Sequence, residues 1–139
     1  MATDAKALAR RFYEEVLNQG KLDVLDEILS DDFVEHQEIP GMPSGKDGVR
    51  AYVTTFRDAF PDLRFELQAV VAEGDEVWVH AVMTGTQKGD LPGIPATGEQ
   101  VSITMIDRVR VRDGQAVEHW GASDDLGMMT QLGVIPEIG

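Results

Sequence analysis

The chain of 139 residues contains no cysteine, which excludes disulfide bonds, thiolate metal sites and cysteine nucleophiles. A chain without disulfides fits a reducing compartment, and we expect a cytoplasmic protein. No apolar run approaches the roughly 20 residues that a transmembrane helix needs. The first residues lack the apolar stretch and the small-residue cleavage site of a secretion signal, so no signal peptide is expected.

Basic residues are scarce as well. The 12 lysines and arginines face 25 aspartates and glutamates, which gives a formal net charge of −13. Such a chain repels the phosphates of nucleic acids and the anionic surfaces of membranes. We therefore expect neither nucleic acid nor a membrane as partner, and favour a small hydrophobic molecule.

Several catalytic motifs are missing too. His36, His80 and His119 do not have the spacing of metal ligands, so no metal site is expected. None of the serines lies in a GxSxG elbow, which argues against nucleophilic serine chemistry. The glycines of residues 89–98 do not open a helix after a strand, so this segment is not a phosphate cradle. We interpret it as a loop at the rim of a pocket.

Apolar spacing predicts helices first and strands afterwards. A helical period of three to four residues covers 5–17, 22–29 and 49–60, whereas a period of two covers 63–71, 77–86 and the hairpin 100–123. A short extended piece is expected at 33–36. This order is typical of a single α+β domain, here 1–139, with a curved antiparallel sheet and three helices on one face. Such an arrangement encloses a cone-shaped pocket.

The last hairpin is the most informative segment. Asp113-Gly114 is a two-residue turn, and regular pairing outward from it places Asp107 opposite Trp120. Because strand side chains alternate between faces, the same pairing predicts which side chains point into the pocket and which point away. The predicted inward side chains are Met105, Asp107, Trp120 and Asp124, and the predicted outward ones are Arg108, Arg110 and His119.

Two carboxylates on this face are candidate catalytic groups. Burying a carboxylate without a partner is costly and raises its pKa, which suits a group that transfers protons. On this ground Asp124 is a candidate acid/base. Alternatively, Asp124 caps the helical turn that follows it. Asp107 is the second candidate, as another acid/base or as a member of an ion pair. Asp125 is expected to face solvent.

Other residues are candidates for binding the substrate. Trp120 offers a flat wall to an aromatic molecule, and Met105 lies beside it. The hydroxyl of Tyr13, on the first helix, is either a donor in the pocket or part of the core. His36 either enters the mouth of the cavity or has a structural role. The side of the sheet that His80 occupies is left open.

Several segments together resemble a known family. They are Phe33–His36, Ala59–Asp62, Gly93–Pro95, Glu118–Trp120, Asp124 and Gln131–Gly133. In this order they resemble the SnoaL-like polyketide cyclases, or ester cyclases, of the nuclear transport factor 2-like superfamily, whose fold is a cystatin-like α+β barrel. The resemblance implies an intramolecular aldol condensation of a polyketide-like ester without metal or organic cofactor. It also implies that an aspartate at the position of Asp124 is the general acid/base.

Other functions stay open beside this leading one, because a fold does not determine a function. The same pocket could serve a cofactor-free hydroxylase, a hydrolase or a binding protein without catalysis. The outer sheet face, which mixes Thr104, Ile106 and Val117 with arginines, predicts a homodimer or a higher homo-oligomer.

Overall fold

The protein is described by a computed structural model that covers residues 2–136. Helix α1 (Ala2–Arg11) runs on into a π-helical turn (Phe12–Leu17), followed by α2 (Val24–Ile28), β1 (Leu29–Glu35) and α3 (Gly45–Ala59). The second half consists of β2 (Arg64–Glu73), β3 (Glu76–Thr86), β4 (Gln100–Arg112), β5 (Gln115–Ser123) and α4 (Asp125–Gln131). The predicted α+β architecture is confirmed. Within residues 2–136, no helix is long and apolar enough to cross a membrane.

The five strands form one sheet in the order β1-β5-β4-β3-β2. Strands β2 to β5 pair antiparallel, and β1 pairs parallel with β5. The sheet stays open, with β1 and β2 as its edges, rather than closing into a barrel. The parallel pairing aligns Glu35 of β1 with His119 of β5, which brings two polar side chains from opposite ends of the chain together.

One face of the sheet packs against the helices and forms the core. The strict alternation expected for a half-buried strand is clearest in β3, where Val77, Val79, Ala81 and Met83 are buried. The π-helical turn contributes Val16 and Leu17, which are also buried. Burying this apolar surface is the main driving force for folding.

The last hairpin departs from regular pairing at a β-bulge. The turn itself is as predicted, since Asp113 and Gly114 have φ angles of 53° and 77° and Val111 pairs with Ala116. The next pair, however, is Arg110 with Glu118, so Val117 is an extra residue on β5. From there to the end of β5 the register is shifted by one position, and Asp107 pairs with Gly121 instead of Trp120.

This shift reverses the orientation of the β5 side chains beyond Ala116. A slip of one residue exchanges the two faces of a strand, so the prediction that Trp120 points inward and His119 outward is wrong. The physical reason lies in Glu118. Regular pairing would bury its carboxylate on the core face, whereas the bulge lets it form an ion pair of 3.0 Å with Arg110 on the outer face.

Candidate functional site

A cavity of about 370 Å³ lies between the helices and the concave face of the sheet. Most of its wall is apolar, with Phe12 from the π-helical turn, Phe56 from α3 and Met105 from β4 among the lining residues. Met105 thus lies where the sequence analysis placed it. Segments 37–43 and 91–94 contribute further lining residues, including the exposed Pro40 and Pro92, which puts both loops at the rim. The predicted position of the 89–98 loop is therefore confirmed.

Four polar side chains form one hydrogen-bonded chain along the cavity wall, and we call them the polar chain. His119 is at its centre, with Nδ1 2.6 Å from Glu35 Oε1 and Nε2 2.7 Å from Asp107 Oδ1. The hydroxyl of Tyr13 donates a hydrogen bond to Asp107 Oδ2. All four side chains line the cavity. Tyr13 and Asp107 were predicted site residues, and the structure brings them into direct contact.

Local backbone features place each member of the polar chain. Tyr13 lies in the π-helical turn, where the amide of Asn18 bonds to the Tyr13 carbonyl oxygen five residues earlier. Such π-helical turns are frequent at functional sites. Gly121 leaves room for the chain, because a Cβ atom there would lie 2.7 Å from Asp107 Oδ1 and 2.9 Å from His119 Cε1. A larger residue at position 121 would collide with both side chains.

The electrostatics of the polar chain favour a charged imidazole. Burial disfavours the protonated form of His119, but the hydrogen bonds to Asp107 and Glu35 outweigh burial and raise its pKa to about 9. At neutral pH His119 is therefore an imidazolium that donates to a carboxylate at each ring nitrogen. Burial, followed by the nearby charge of Asp107, raises the pKa of Tyr13, which keeps its hydroxyl protonated as a donor.

The charged side chains in the cavity wall are mostly acidic. Besides Glu35 and Asp107, the carboxylates of Glu38 and Asp125 line the cavity, and His119 is the single imidazole among the described residues that line it. No lysine or arginine lines the cavity in the part of the chain that the structure describes. The same part of the chain holds no group of three or more His, Asp or Glu side chains with a geometry that could bind a metal ion.

Asp124 does not face the cavity, so its predicted orientation is wrong. It lies beyond the end of β5, is exposed to solvent and caps α4, accepting a hydrogen bond of 2.9 Å from the Gly127 amide. The helix-cap interpretation is confirmed. Its neighbour Asp125, expected to face solvent, is exposed but also lines the cavity rim, where it accepts a hydrogen bond from Ser123 Oγ.

Trp120 and His36 also lie outside the cavity, contrary to the substrate-binding roles predicted for them. Their rings stack on the outer face of the sheet, with centroids 4.7 Å apart. The guanidinium carbon of Arg108 lies 4.0 Å from the Trp120 ring centroid, which is a cation–π contact. His80 pairs with Ile106 between β3 and β4, on the same outer face. These groups stabilise the back of the sheet instead of lining the pocket.

Sequence reasoning missed two members of the polar chain, Glu35 and His119. The outward position predicted for His119 assumed a regular hairpin register. That register would bury the carboxylate of Glu118, which is costly, although Arg110 could pair with it on the outer face. This cost was the signal in the sequence against the regular register. Glu35 was seen only as part of a short extended piece. Its proximity to His119 depends on a parallel strand pair 84 residues apart in sequence, which hairpin reasoning does not address.

Comparisons with known proteins find one matching family model and several proteins of similar sequence and fold. A family model for SnoaL-like polyketide cyclases matches residues 7–132. Aklanonic acid methyl ester cyclase DauD of Streptomyces sp. (strain C5) is 32% identical over 130 residues, covering 91% of this chain and 80% of the relative. The structure of TsrD from Streptomyces laurentii superposes with a TM-score of 0.87 at 30% identity, covering 96% of this chain and 97% of TsrD. That of AclR from Streptomyces galilaeus, a proposed hydroxylase, superposes at 0.84 and 29% identity, covering 98% and 100%.

Proposed function

The chain belongs to the SnoaL-like polyketide cyclase family, and from this premise we propose that it closes a ring in a polyketide ester by an intramolecular aldol reaction with Asp107 as general base and acid. One observation carries the assignment of Asp107. Its buried carboxylate lies on the wall of the apolar cavity and is held there by His119 and Tyr13. The proton-transfer role that the resemblance implied for Asp124 is thereby reassigned to Asp107.

The proposed reaction is an isomerisation in which no atom is gained or lost. The Asp107 carboxylate takes a proton from a substrate carbon flanked by carbonyl groups, which leaves an enolate. The enolate carbon attacks a ketone carbon of the same molecule, a carbon–carbon bond forms, and the carbonyl π electrons move to oxygen. The resulting alkoxide takes the proton back from Asp107, which regenerates the carboxylate.

Each neighbour in the polar chain supports one part of this cycle. The two hydrogen bonds on Asp107 fix the plane of its carboxylate, so that the base is oriented before substrate enters. The imidazolium of His119 offsets negative charge between Glu35 and Asp107 and favours an anionic enolate nearby. Apolar lining such as Phe12 and Phe56 suits the hydrophobic body of a polyketide and excludes water from the enolate.

The charge of the cavity favours an ester over a free acid. Four carboxylates and one imidazolium line the cavity, and no lysine or arginine of the described residues offsets them there. A substrate carboxylate would add a further negative charge in a partly desolvated site, whereas a methyl ester carries none. We therefore expect turnover of the ester and weak or no turnover of the corresponding acid.

The direct test uses aklanonic acid methyl ester, the compound in the name of the DauD relative, and follows ring closure by chromatography and mass spectrometry. Asp107→Asn keeps the size of the side chain but removes the base. We expect turnover to fall by on the order of 10²–10⁴-fold, the usual scale for a general acid–base group. The matched control is Asp113→Asn in the exposed hairpin turn, which should leave turnover unchanged.

Two results would contradict the assignment. Turnover that survives in Asp107→Asn, with native stability, would remove Asp107 from the mechanism. A wild-type protein that binds the ester and releases it unchanged would favour a binding protein without catalysis. Testing the ester and its free acid in parallel examines the charge argument separately from the role of Asp107.

A hydroxylase is the second candidate, favoured by the similarity to AclR over nearly the whole chain. The two reactions differ in their need for molecular oxygen, because an aldol closure neither consumes nor releases it. Turnover should therefore be equal in air and under strict anaerobiosis if the protein is a cyclase. An oxygen-dependent product that is heavier than the substrate by one oxygen atom would establish the hydroxylase instead.

We further propose that the outer face of the sheet forms a two-fold contact between copies of the chain. Trp78 and Ile106 lie on this face with 46% and 41% of their surface exposed, and Val71, paired with Trp78, is exposed as well. Neighbouring Arg108 and Glu76 provide charges of both signs. A face that carries apolar and oppositely charged groups can be self-complementary across a two-fold axis.

A further inference from the structure

A second tyrosine lines the cavity without belonging to the polar chain. Tyr52 lies on α3, and its ring packs against Phe56 with the ring centroids 4.4 Å apart. Tyr13 reaches the cavity from the π-helical turn, and its hydroxyl is committed to Asp107. The two tyrosines therefore differ in whether their hydroxyl already has a partner.

The hydroxyl of Tyr52 has no hydrogen-bond partner among residues 5–136, whose side chains the structure describes. The one fully enclosed side-chain polar atom without a partner in that range is Ser30 Oγ, so the Tyr52 hydroxyl is still accessible from the cavity. A tyrosine hydroxyl in an apolar environment normally finds a partner. A molecule in the cavity can supply one to Tyr52.

The surroundings of Tyr52 keep this hydroxyl protonated. Burial raises its pKa, and the charges of Asp107, Asp125 and Glu35 raise it further. These three carboxylates line the same cavity as Tyr52, and one of them, Asp107, is the proposed base. At neutral pH Tyr52 is thus a hydrogen-bond donor in the same cavity in which the reaction would develop negative charge.

We propose that Tyr52 is a catalytic residue whose hydroxyl donates a hydrogen bond to the substrate carbonyl oxygen that becomes the alkoxide in ring closure. This inference rests on the cyclase function proposed above and assigns a group to its second step. At that step Asp107 carries the proton, and without such a donor the new alkoxide would develop in a cavity that still contains the carboxylates of Glu35 and Asp125. A preorganised donor stabilises that charge, and Tyr52 keeps its own proton while Asp107 supplies the one that neutralises the alkoxide.

The kinetic test is Tyr52→Phe, which removes the hydroxyl and leaves the ring. Because the hydrogen bond strengthens as negative charge develops on the oxygen, we expect kcat for the ester to fall by on the order of 10²-fold, with a much smaller change in KM. Phe56→Leu is the matched control, since it reduces the same aromatic stack without touching a hydroxyl; it should affect KM more than kcat. An unchanged kcat in Tyr52→Phe would overturn the proposal.

A binding test decides the matter independently of turnover. Anthraquinone carries two carbonyl acceptors, and anthracene has the same three fused rings without them. We expect Tyr52→Phe to weaken binding of anthraquinone by about 2- to 12-fold, the value of one hydrogen bond, and to leave that of anthracene unchanged. Phe56→Leu should weaken both ligands alike.

The two arms separate failure of this inference from failure of the cyclase proposal. If the wild-type protein does not cyclise the ester, the cyclase function fails, and a selective loss of anthraquinone binding would still establish Tyr52 as the donor to a carbonyl ligand. Equal effects on the two ligands, or no preferential loss of anthraquinone in Tyr52→Phe, would overturn the role of Tyr52 even if Asp107→Asn is inactive.

Discussion

The charged state of His119 makes the stability of the protein depend on pH. In an unfolded chain its pKa lies near 6.5, whereas in the folded protein the hydrogen bonds to Glu35 and Asp107 overcome burial and raise it to about 9. This difference corresponds to roughly 3 kcal/mol in favour of the protonated folded state. Because the folded pKa is raised, the contribution is fully present below 6.5 and is lost as the pH rises through 9. His119→Gln should lack it at every pH.

The assay is urea unfolding of the wild type and His119→Gln at about pH 6 and about pH 10, with the difference in unfolding free energy compared at the two values. We expect the advantage of the wild type over the variant to shrink by roughly 3 kcal/mol between them, since other titrating groups affect both proteins alike. Titration of the imidazole resonances by NMR measures the pKa directly.

His36→Gln is the matched control. Its imidazole also contacts a carboxylate, that of Glu118 at 2.8 Å, but 40% of its side chain is exposed and solvent screens the pair. The same comparison should therefore give a much smaller pH-dependent difference for His36→Gln. A wild-type advantage over His119→Gln that is equal at both pH values, or an imidazole resonance of His119 that titrates near 6.5, would refute the charged polar chain.

Three further predictions concern other positions. Gly121→Ala places a methyl group against Asp107 and His119, so we expect a loss of about 1–3 kcal/mol in urea unfolding and a lower pKa for His119 by NMR; native values for both would contradict the packing argument. Asp124→Ala should cost about 1 kcal/mol of stability through the lost helix cap, whereas Asp124→Asn should keep both cap and turnover. A 10²-fold loss of turnover (the order expected for an acid–base group) in Asp124→Asn would return catalysis to Asp124. Trp78→Glu should convert a dimer to monomers in sedimentation equilibrium, and a wild-type monomer at micromolar concentration would rule out the contact.

The elements and their order could be predicted from the sequence because they depend on local patterns. The helical spacing of apolar side chains on α1 and α3 indicates that one face of each helix is buried, and alternation indicates the same for β2 and β3. Both patterns depend only on residues that are close in the sequence. The prediction that Met105 and Asp107 of β4 point into the cavity was correct for the same reason. The π-helical turn and the parallel pairing of β1 with β5 could not be predicted in this way, since tertiary packing decides both.

The candidate site was predicted only in part because a turn controls the register only next to itself. The Asp113-Gly114 turn correctly predicts the pair Val111 and Ala116, but an extra residue in one strand changes every later pair without changing the alternation pattern that the sequence displays. Whether a bulge forms depends on the free energy of burying particular side chains. At Glu118 an ion pair on the outer face competes with a carboxylate in the core, and the ion pair prevails.

The same extra residue creates the polar chain that the proposed chemistry uses. Without the bulge, Trp120 would fill the cavity beside Asp107, and His119 would lie among the arginines of the outer face, about a sheet's thickness from Glu35 and Tyr13. With the bulge, Gly121 opposes Asp107, and its lack of a side chain lets the carboxylate reach His119 Nε2 at 2.7 Å. The extra residue in β5 thus determines that His119, and not Trp120, lines the cavity. It also places His119 within hydrogen-bond distance of the proposed base, Asp107. Deleting Val117 removes the extra residue itself and leaves Arg110 opposite Glu118 and Asp107 opposite Gly121 in a regular ladder. We therefore expect the deletion variant to keep the polar chain, with the pKa of His119 still raised in an NMR titration. An imidazole of His119 that titrates as in the unfolded chain would contradict this account of the bulge.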